Sequence, residues 1–298
     1  MKQKMLILGG TGLIGSTLAV YSKNLYDIHL TTHENTSDNN FVSSKLDLIK
    51  ERSKISLLIK DVNPDVVVHT VAYPSVDFCE TNFADAKLLH VDISKDVSIT
   101  CNDIDSKLIY FSTDAVFDGK STKKYTENDL PNPLSKYGET KLCAEKVIKE
   151  NCKKNIILRT TVVYGWHERS RFTNWVLNNL KNNKSINAFT DQNNTPTLVD
   201  DLSLCILKIL EKNIFGLYNA AGKTCLSRYD FALKIAELFN LNKKLIIPTV
   251  SSGKQLAPRP VNGCLDIRKL EQMIDFDFSN IADGIDFLRQ QSMIKNDL

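Results

Sequence analysis

The chain has 298 residues, 42% of them hydrophobic and 24% charged, with a formal net charge of +3. That composition can build a sizeable core in one large domain, or in one domain with a smaller partner. The mixed, nearly balanced charge argues against a nucleic-acid footprint, and no apolar run is long enough to span a bilayer, so a cytoplasmic protein with neither partner is expected.

The N-terminal Met1-Lys2-Gln3-Lys4 leads into an apolar run at 5–8 that stops at Gly9-Gly10 without a small-residue cleavage site. A buried first strand fits better than a leader peptide. Further short runs at 28–31, 66–70, 108–112 and 156–160 are apolar on both faces, the pattern of strands covered by helices on both sides. The stretches 53–62, 83–100 and 138–150 between them read as helices. Strand, helix, strand at this spacing predicts βαβ units and a parallel, doubly wound sheet over 1–165, with a later contribution from about 190–220. Residues 166–298 predict a smaller α+β lobe, interleaved with the end of the sheet. Its helices are expected at 171–181, 202–212 and 228–239, and its strands near 185–189, 216–219 and 244–247. Ser37-Asp38-Asn39-Asn40 reads as a polar turn and Pro258-Arg259-Pro260 as a loop.

The seven cysteines are odd in number and scattered, with no Cys-x-x-Cys. Reduced, mostly buried thiols are expected, with neither a disulfide framework nor a zinc site. The five histidines show no metal-binding spacing, so no metal is expected and each should be satisfied or exposed. Trp166 is expected in core packing or within reach of a cleft. Asp200-Asp201 is read as a helix start, favoured by the dipole.

Gly9-Gly10-Thr11-Gly12-Leu13-Ile14-Gly15 follows the first strand and opens a helix. The turn needs a backbone tolerant of positive φ, Gly12 lets a pyrophosphate approach the main chain, and Gly15 permits close helix–strand packing. Free N–H groups at the helix start attract phosphates. The fold expectation is therefore a Rossmann-type dinucleotide domain. A carboxylate at the end of the second strand would bond the ribose of NAD. Glu34 is close, but His33 holds the nearer position and no Arg lies nearby for a 2′-phosphate. NADP and NAD both stay open, with a slight lean to NADPH. Asp47-Leu48 could bond and cover the adenine, or be an ordinary loop pair.

The strand at 108–112 ends in Ser112-Thr113-Asp114, and Lys136-Tyr137-Gly138-Glu139-Thr140-Lys141 opens a helix. Tyr137 and Lys141, four apart, share a helix face. An adjacent ammonium should lower the phenol from its usual pKa near 10. In the reduction direction Tyr137 is expected to protonate a carbonyl oxygen while Thr113 orients it.

These residues resemble the dTDP-4-dehydrorhamnose reductase family of extended short-chain dehydrogenase/reductases. The resemblance rests on Gly9 to Gly15, on Ser112-Thr113-Asp114 with Val116-Phe117-Asp118-Gly119, and on Tyr137 with Lys141. It continues through Val76-Asp77-x-x-Glu80, Leu158-Arg159-Thr160, Val163-Tyr164-Gly165, Asp191-Gln192, Pro196-Thr197, Asp201-Leu202, Arg259-Pro260-Val261-Asn262 and Leu265-Asp266. It implies NAD(P)H-dependent reduction of a 4-keto nucleotide sugar, with Thr113, Tyr137 and Lys141 catalytic. It implies that Gly9, Gly12, Leu13, Ile14, Asp47, Leu48, Val71, Ala72, Tyr73, Tyr137 and Lys141 line the cofactor. Val76, Thr113, Phe172 and Arg259 would face the substrate, and a homodimer is consistent with the family. Three positions depart from the family pattern: Ala115 stands for its usual Tyr, Val162 for its usual Trp, and Thr17 for a Glu that some members use at a metal-bridged dimer contact. Two other functions use the same motifs: an epimerase or dehydratase with tightly held NAD, and a cofactor-binding regulatory subunit resembling that of methionine adenosyltransferase.

Overall fold

The structure is a computed structural model and describes residues 2–33 and 41–296. Glu34 and the turn expected at 37–40 lie outside the described residues. Strands β1 (Gln3–Leu8), β2 (Tyr26–Thr32), β3 (Val42–Lys45), β4 (Val66–His69), β5 (Lys107–Thr113) and β6 (Asn155–Thr160) come first. Four short strands follow, β7 (Val163–Tyr164), β8 (Ile186–Phe189), β9 (Asn193–Asn194) and β10 (Thr197–Leu198), and then β11 (Gly216–Asn219). Seven strands pair in parallel in the order β3-β2-β1-β4-β5-β6-β11. The order turns back at β1 and β4, which makes the crevice above their carboxyl ends the expected ligand site.

The alternation of side chains along each strand divides the core in two. Met5 and Ile7 of β1 join Leu18 and Ala19 of α1 (Leu13–Ser22) on one face. Leu6 and Leu8 join Ile55 and Ile59 of α2 (Arg52–Val62) on the other. Both faces are dry, which is why these strands read as unbroken apolar runs rather than alternating ones.

Four helices follow on the second face and at its rim: α3 (Val76–Thr81), α4 (Phe83–Lys87), α5 (Ile93–Asp103) and α6 (Lys136–Asn151). The single helix expected over 83–100 is broken. A π-helical turn, Leu88–Asp92, separates α4 from α5. It turns His90 inward, where the Tyr73 backbone N–H and the Thr140 hydroxyl hold the ring.

The second lobe is built from α7 (Arg171–Lys181), α9 (Arg228–Leu238) and α11 (Ile281–Asn296), with β8 paired to β13 (Ile246–Thr249). Val176, Leu180, Ile186, Phe231, Ile235 and Leu288 fill its core. Helix α8 (Val199–Lys212) belongs to the main domain, packing on α1, and α10 (Arg268–Ile274) packs on α8 and β11. Asp200 and Asp201 do sit in the first turn of α8. Asp200 accepts from Tyr21 at 3.0 Å and from Gln291 at 2.9 Å, and Asp201 accepts the Ser279 N–H at 2.8 Å.

One expectation about the cysteines is corrected. Cys225 and Cys264 form a disulfide with Cα atoms 5.6 Å apart. They lie 39 residues apart in sequence, and no spacing announces the pairing. It arises because β12 (Leu226–Ser227) and β14 (Asn262–Gly263) flank β9 on its two sides. Cys79, Cys101, Cys143, Cys152 and Cys205 are free. Among the described residues no helix is long and apolar enough to cross a membrane, and no cluster of His, Cys, Asp and Glu could hold a metal ion.

Candidate active site

The glycine turn leads from β1 into α1 in the conformation a phosphate cradle needs. Gly9 has φ +88°, and a Cβ there would sit 2.6 Å from Thr70 Oγ1 and 2.8 Å from Val71. A Cβ on Gly15 would lie 2.4 Å from the Gly9 carbonyl, so only glycine lets helix and turn approach this closely. Gly12 caps α1 without a side-chain acceptor, and no acidic residue stands in the first turn. The helix start therefore keeps its N–H groups and positive potential for an anion. These are the groups that would hold a dinucleotide's pyrophosphate. Thr17, where some family members carry a Glu, bonds the Leu13 carbonyl of its own helix at 2.8 Å.

Beyond β3, Asp47 accepts the backbone N–H groups of Ile49 and Lys50 at 3.0 and 3.1 Å and meets His33 Nε2 at 3.1 Å. The Lys50 N–H leads these contacts in holding its carboxylate below the usual range. Leu48 is buried with Ile55 and Ile59. Val71, Ala72 and Tyr73 follow β4 after Thr70 and are half-buried, with Val71 against Gly9 of the glycine turn.

Thr113 ends β5. Its hydroxyl meets Asp114 Oδ1 at 3.0 Å and accepts the Ala115 N–H at 3.1 Å. Tyr137 enters on the first turn of α6, whose cap Ser135 accepts the Gly138 N–H at 3.3 Å. A Cβ at Gly138 would lie 2.2 Å from the Ala115 carbonyl. The glycine after the tyrosine thus brings the helix against the end of β5, where the Thr113 side chain acts on the phenol.

The expected effect of Lys141 on that phenol is corrected. Burial pushes the Tyr137 hydroxyl well above its ordinary pKa and Asp114 adds to it, while Thr113 and the charge of Arg171 pull against them. Lys141 is itself 3% exposed. Its ammonium donates to Tyr110 Oη at 2.6 Å and lies 4.1 Å from the centre of that ring. Burial pulls Lys141 down to about 7.

That shift makes stability depend on pH. Lys141 has a folded pKa below its ordinary 10.5, so folding disfavours its charge. The cost is full below about pH 7, shrinks as pH rises, and is gone above about pH 10.5. The double variant Lys141→Met, Tyr110→Phe removes both the charge and the hydroxyl left behind. It should be inactive yet more stable in urea at pH 6, by on the order of 2–4 kcal/mol. No gain, or a gain equally large near pH 10, would contradict burial of the ammonium as the origin of the cost.

Side chains of the second lobe reach back to Tyr137 and Asp114. Arg171 starts α7, donates to the Pro74 carbonyl at 2.8 Å and acts on the Tyr137 phenol. Arg228 starts α9, lies 5.1 Å over the Phe172 ring and faces Asp114. Burial brings its guanidinium down to about 10. Arg259 is held by Asp77 in a bidentate pair at 3.0 and 2.9 Å, next to Val76 at the start of α3. Asp114 is buried and raised by that burial, with Asn194 donating to it at 2.7 Å. Reading the sequence missed Arg171, Arg228 and the burial of Asp114, because two helices of a different lobe carry the arginines back over the sheet and no local pattern marks them. Trp166 stacks on Phe239 at 6.2 Å, the packing alternative. Val162 takes φ +45°, costly for a β-branched residue. His69 departs from the expectation for histidines. It is buried, and neither ring nitrogen has a hydrogen-bond partner.

The model of the RmlD substrate binding domain matches residues 3–291. The chain is 30% identical over 283 residues to the dTDP-4-dehydrorhamnose reductase of Aggregatibacter actinomycetemcomitans, covering 90% of this chain and 92% of that one. It is 32% identical over 280 residues to the methionine adenosyltransferase 2 subunit beta of Xenopus laevis, covering 91% and 82%. Among solved structures, the dTDP-4-dehydrorhamnose reductase of Bacillus anthracis in complex with NADP superimposes with a TM-score of 0.88 at 25% identity, covering 98% of this chain and 100% of that one. With the glycine turn, the Thr113–Tyr137 contact and the two-lobe architecture all in place, the chain belongs to the RmlD substrate-binding family, that of the dTDP-4-dehydrorhamnose reductases.

Proposed function

We propose that this chain reduces the carbonyl of a 4-keto nucleotide sugar, with NADPH preferred over NADH. The observation that carries the reading is the meeting of Thr113 and Tyr137 at the end of β5, one helical turn from the buried Lys141. The preference for NADPH is supported by His33 at the end of β2 and by the NADP held by the Bacillus anthracis relative. Bound nicotinamide supplies the hydride. The chain's part is the proton and the orientation. A phenol raised by burial stays protonated at neutral pH, the form a proton donor needs. Thr113 places the substrate oxygen beside it, and the charge of Arg171 stabilises the phenolate that remains. Lys141 would bond the nicotinamide ribose, Gly12, Leu13 and Ile14 the pyrophosphate, and Asp47 the adenine.

The guanidinium of Arg228, with Arg171 and Arg259 beside the same cleft, suits the diphosphate of the sugar nucleotide. Arg228→Met should raise KM for the sugar nucleotide about ten- to a hundredfold, the worth of one or two charge-assisted bonds, and leave Kd for NADPH nearly unchanged. Equal loss of both affinities would place Arg228 elsewhere. The test of the reaction is loss of the reduced-nicotinamide absorbance with NADPH or NADH against a panel of 4-keto-6-deoxy nucleotide sugars. Absence of turnover across the panel, with a partner enzyme co-purifying, would overturn the reductase reading in favour of a regulatory one.

A further inference from the structure

His90 does not reach the reacting atoms, yet it bonds both sides of the cleft. It is 1% exposed and is aimed inward by the π-helical turn between α4 and α5. Its Nε2 receives the backbone N–H of Tyr73 at 3.0 Å. A nitrogen that accepts carries no proton, so in the neutral ring the proton sits on Nδ1. Nδ1 meets Thr140 Oγ1 at 2.9 Å, and the Thr140 hydroxyl donates onward to the Tyr137 carbonyl at 3.0 Å. The directions agree along the whole chain: Tyr73 N–H to His90, His90 N–H to Thr140, Thr140 O–H to Tyr137. The imidazole also stands edge-on to the Tyr137 ring at 5.7 Å and 85°. Burial, with the charge of Lys141, holds the imidazole down to about 2, which keeps it neutral and preserves this tautomer.

We propose that His90 is a positioning residue, which sets the distance between the segment 71–73 and the proton donor Tyr137 through Tyr73 on one side and Thr140 on the other. It rests on the reductase reading, in which Val71, Ala72 and Tyr73 line the cofactor. A histidine that only filled the core would need neither directed bond. A positioning role predicts that geometry, and so turnover, fails before affinity does.

The test uses the full chain. Nitrogen-15 spectra of labelled histidine should show His90 as the Nδ1–H tautomer with no titration between about pH 5 and 9. The Tyr73 amide should exchange slowly in the wild type and faster in His90→Leu. His90→Leu and Thr140→Val should each lower kcat about ten- to a hundredfold, with Kd for NADPH moving by no more than about threefold. Thr140→Ser, which keeps the hydroxyl, should recover most of the loss, and the double variant should be no worse than the worse single one. If His90→Leu fails to fold, Thr140→Val carries the kinetic comparison. An Nε2–H tautomer, or variants with lowered melting temperature and unchanged kcat, would overturn the proposal. The tautomer and the amide exchange are read without any sugar. An inactive wild-type chain would therefore sink the reductase reading and leave those two measurements to decide the link through His90.

Discussion

Replacing Tyr137 by phenylalanine will lower kcat by about 10²–10⁴-fold, the usual worth of a positioned acid. Kd for NADPH should change little. The ring itself is held by packing, edge-on to His90, and by its place on the first turn of α6. Phenylalanine keeps both and removes only the hydroxyl on which Thr113 acts. The loss should appear in kcat with KM for the sugar nearly constant, because the interaction removed acts on charge that develops in the transition state. Stopped-flow single turnovers with NADPH would separate that step from product release. A variant with wild-type turnover would remove Tyr137 as the proton donor and leave the cleft without an evident acid, since Asp114 is enclosed by Thr113 and Asn194.

Some of this site is legible along the chain and some is not, for a physical reason in each case. The βαβ core could be read because its strands are dry on both faces. Met5 to Leu8 and Val66 to Val68 carry no polar residue to blur the pattern. That Thr113 ends a strand and that Tyr137 and Lys141 share one helix could be read because a strand end and a helix start impose local rules on the residues next to them. The glycine turn was legible because close approach to the main chain admits no side chain at Gly15. What stayed hidden depends on contacts between distant segments. Tyr110 reads as one more apolar strand residue, and only the fold shows its hydroxyl accepting from Lys141. Asp77 and Glu80 belong to one motif, but their partners, Arg259 and the Lys136 N–H, lie far along the chain. The break at Leu88–Asp92 has no glycine or proline to announce it. The Cys225–Cys264 bond depends on two short strands meeting a third.

The largest loss of stability is expected from one carboxylate beneath Tyr137 and Lys141, in helix α6. Glu145 accepts from Arg159 Nε at 2.9 Å and Nη2 at 2.7 Å, and from Ser112 Oγ at 2.5 Å. Both charged side chains are 2% exposed. Arg159 Nη1 has no hydrogen-bond partner, and the guanidinium lies 5.0 Å from the Phe117 ring. The pair fastens α6, which carries Tyr137 and Lys141, to β5 and β6 just below Thr113. Glu145→Gln would keep the shape but leave a buried cation without its counter-charge, a change that costs about 3–5 kcal/mol. The melting temperature should fall by on the order of 10 °C in a chain of this size. The paired replacement Glu145→Leu with Arg159→Met should regain much of that, because no charge is then left alone in the core. Scanning calorimetry of the three proteins decides the matter. If Glu145→Gln melts with the wild type, the arginine finds water or another anion on losing its partner, and the pair is not what holds α6 to the sheet.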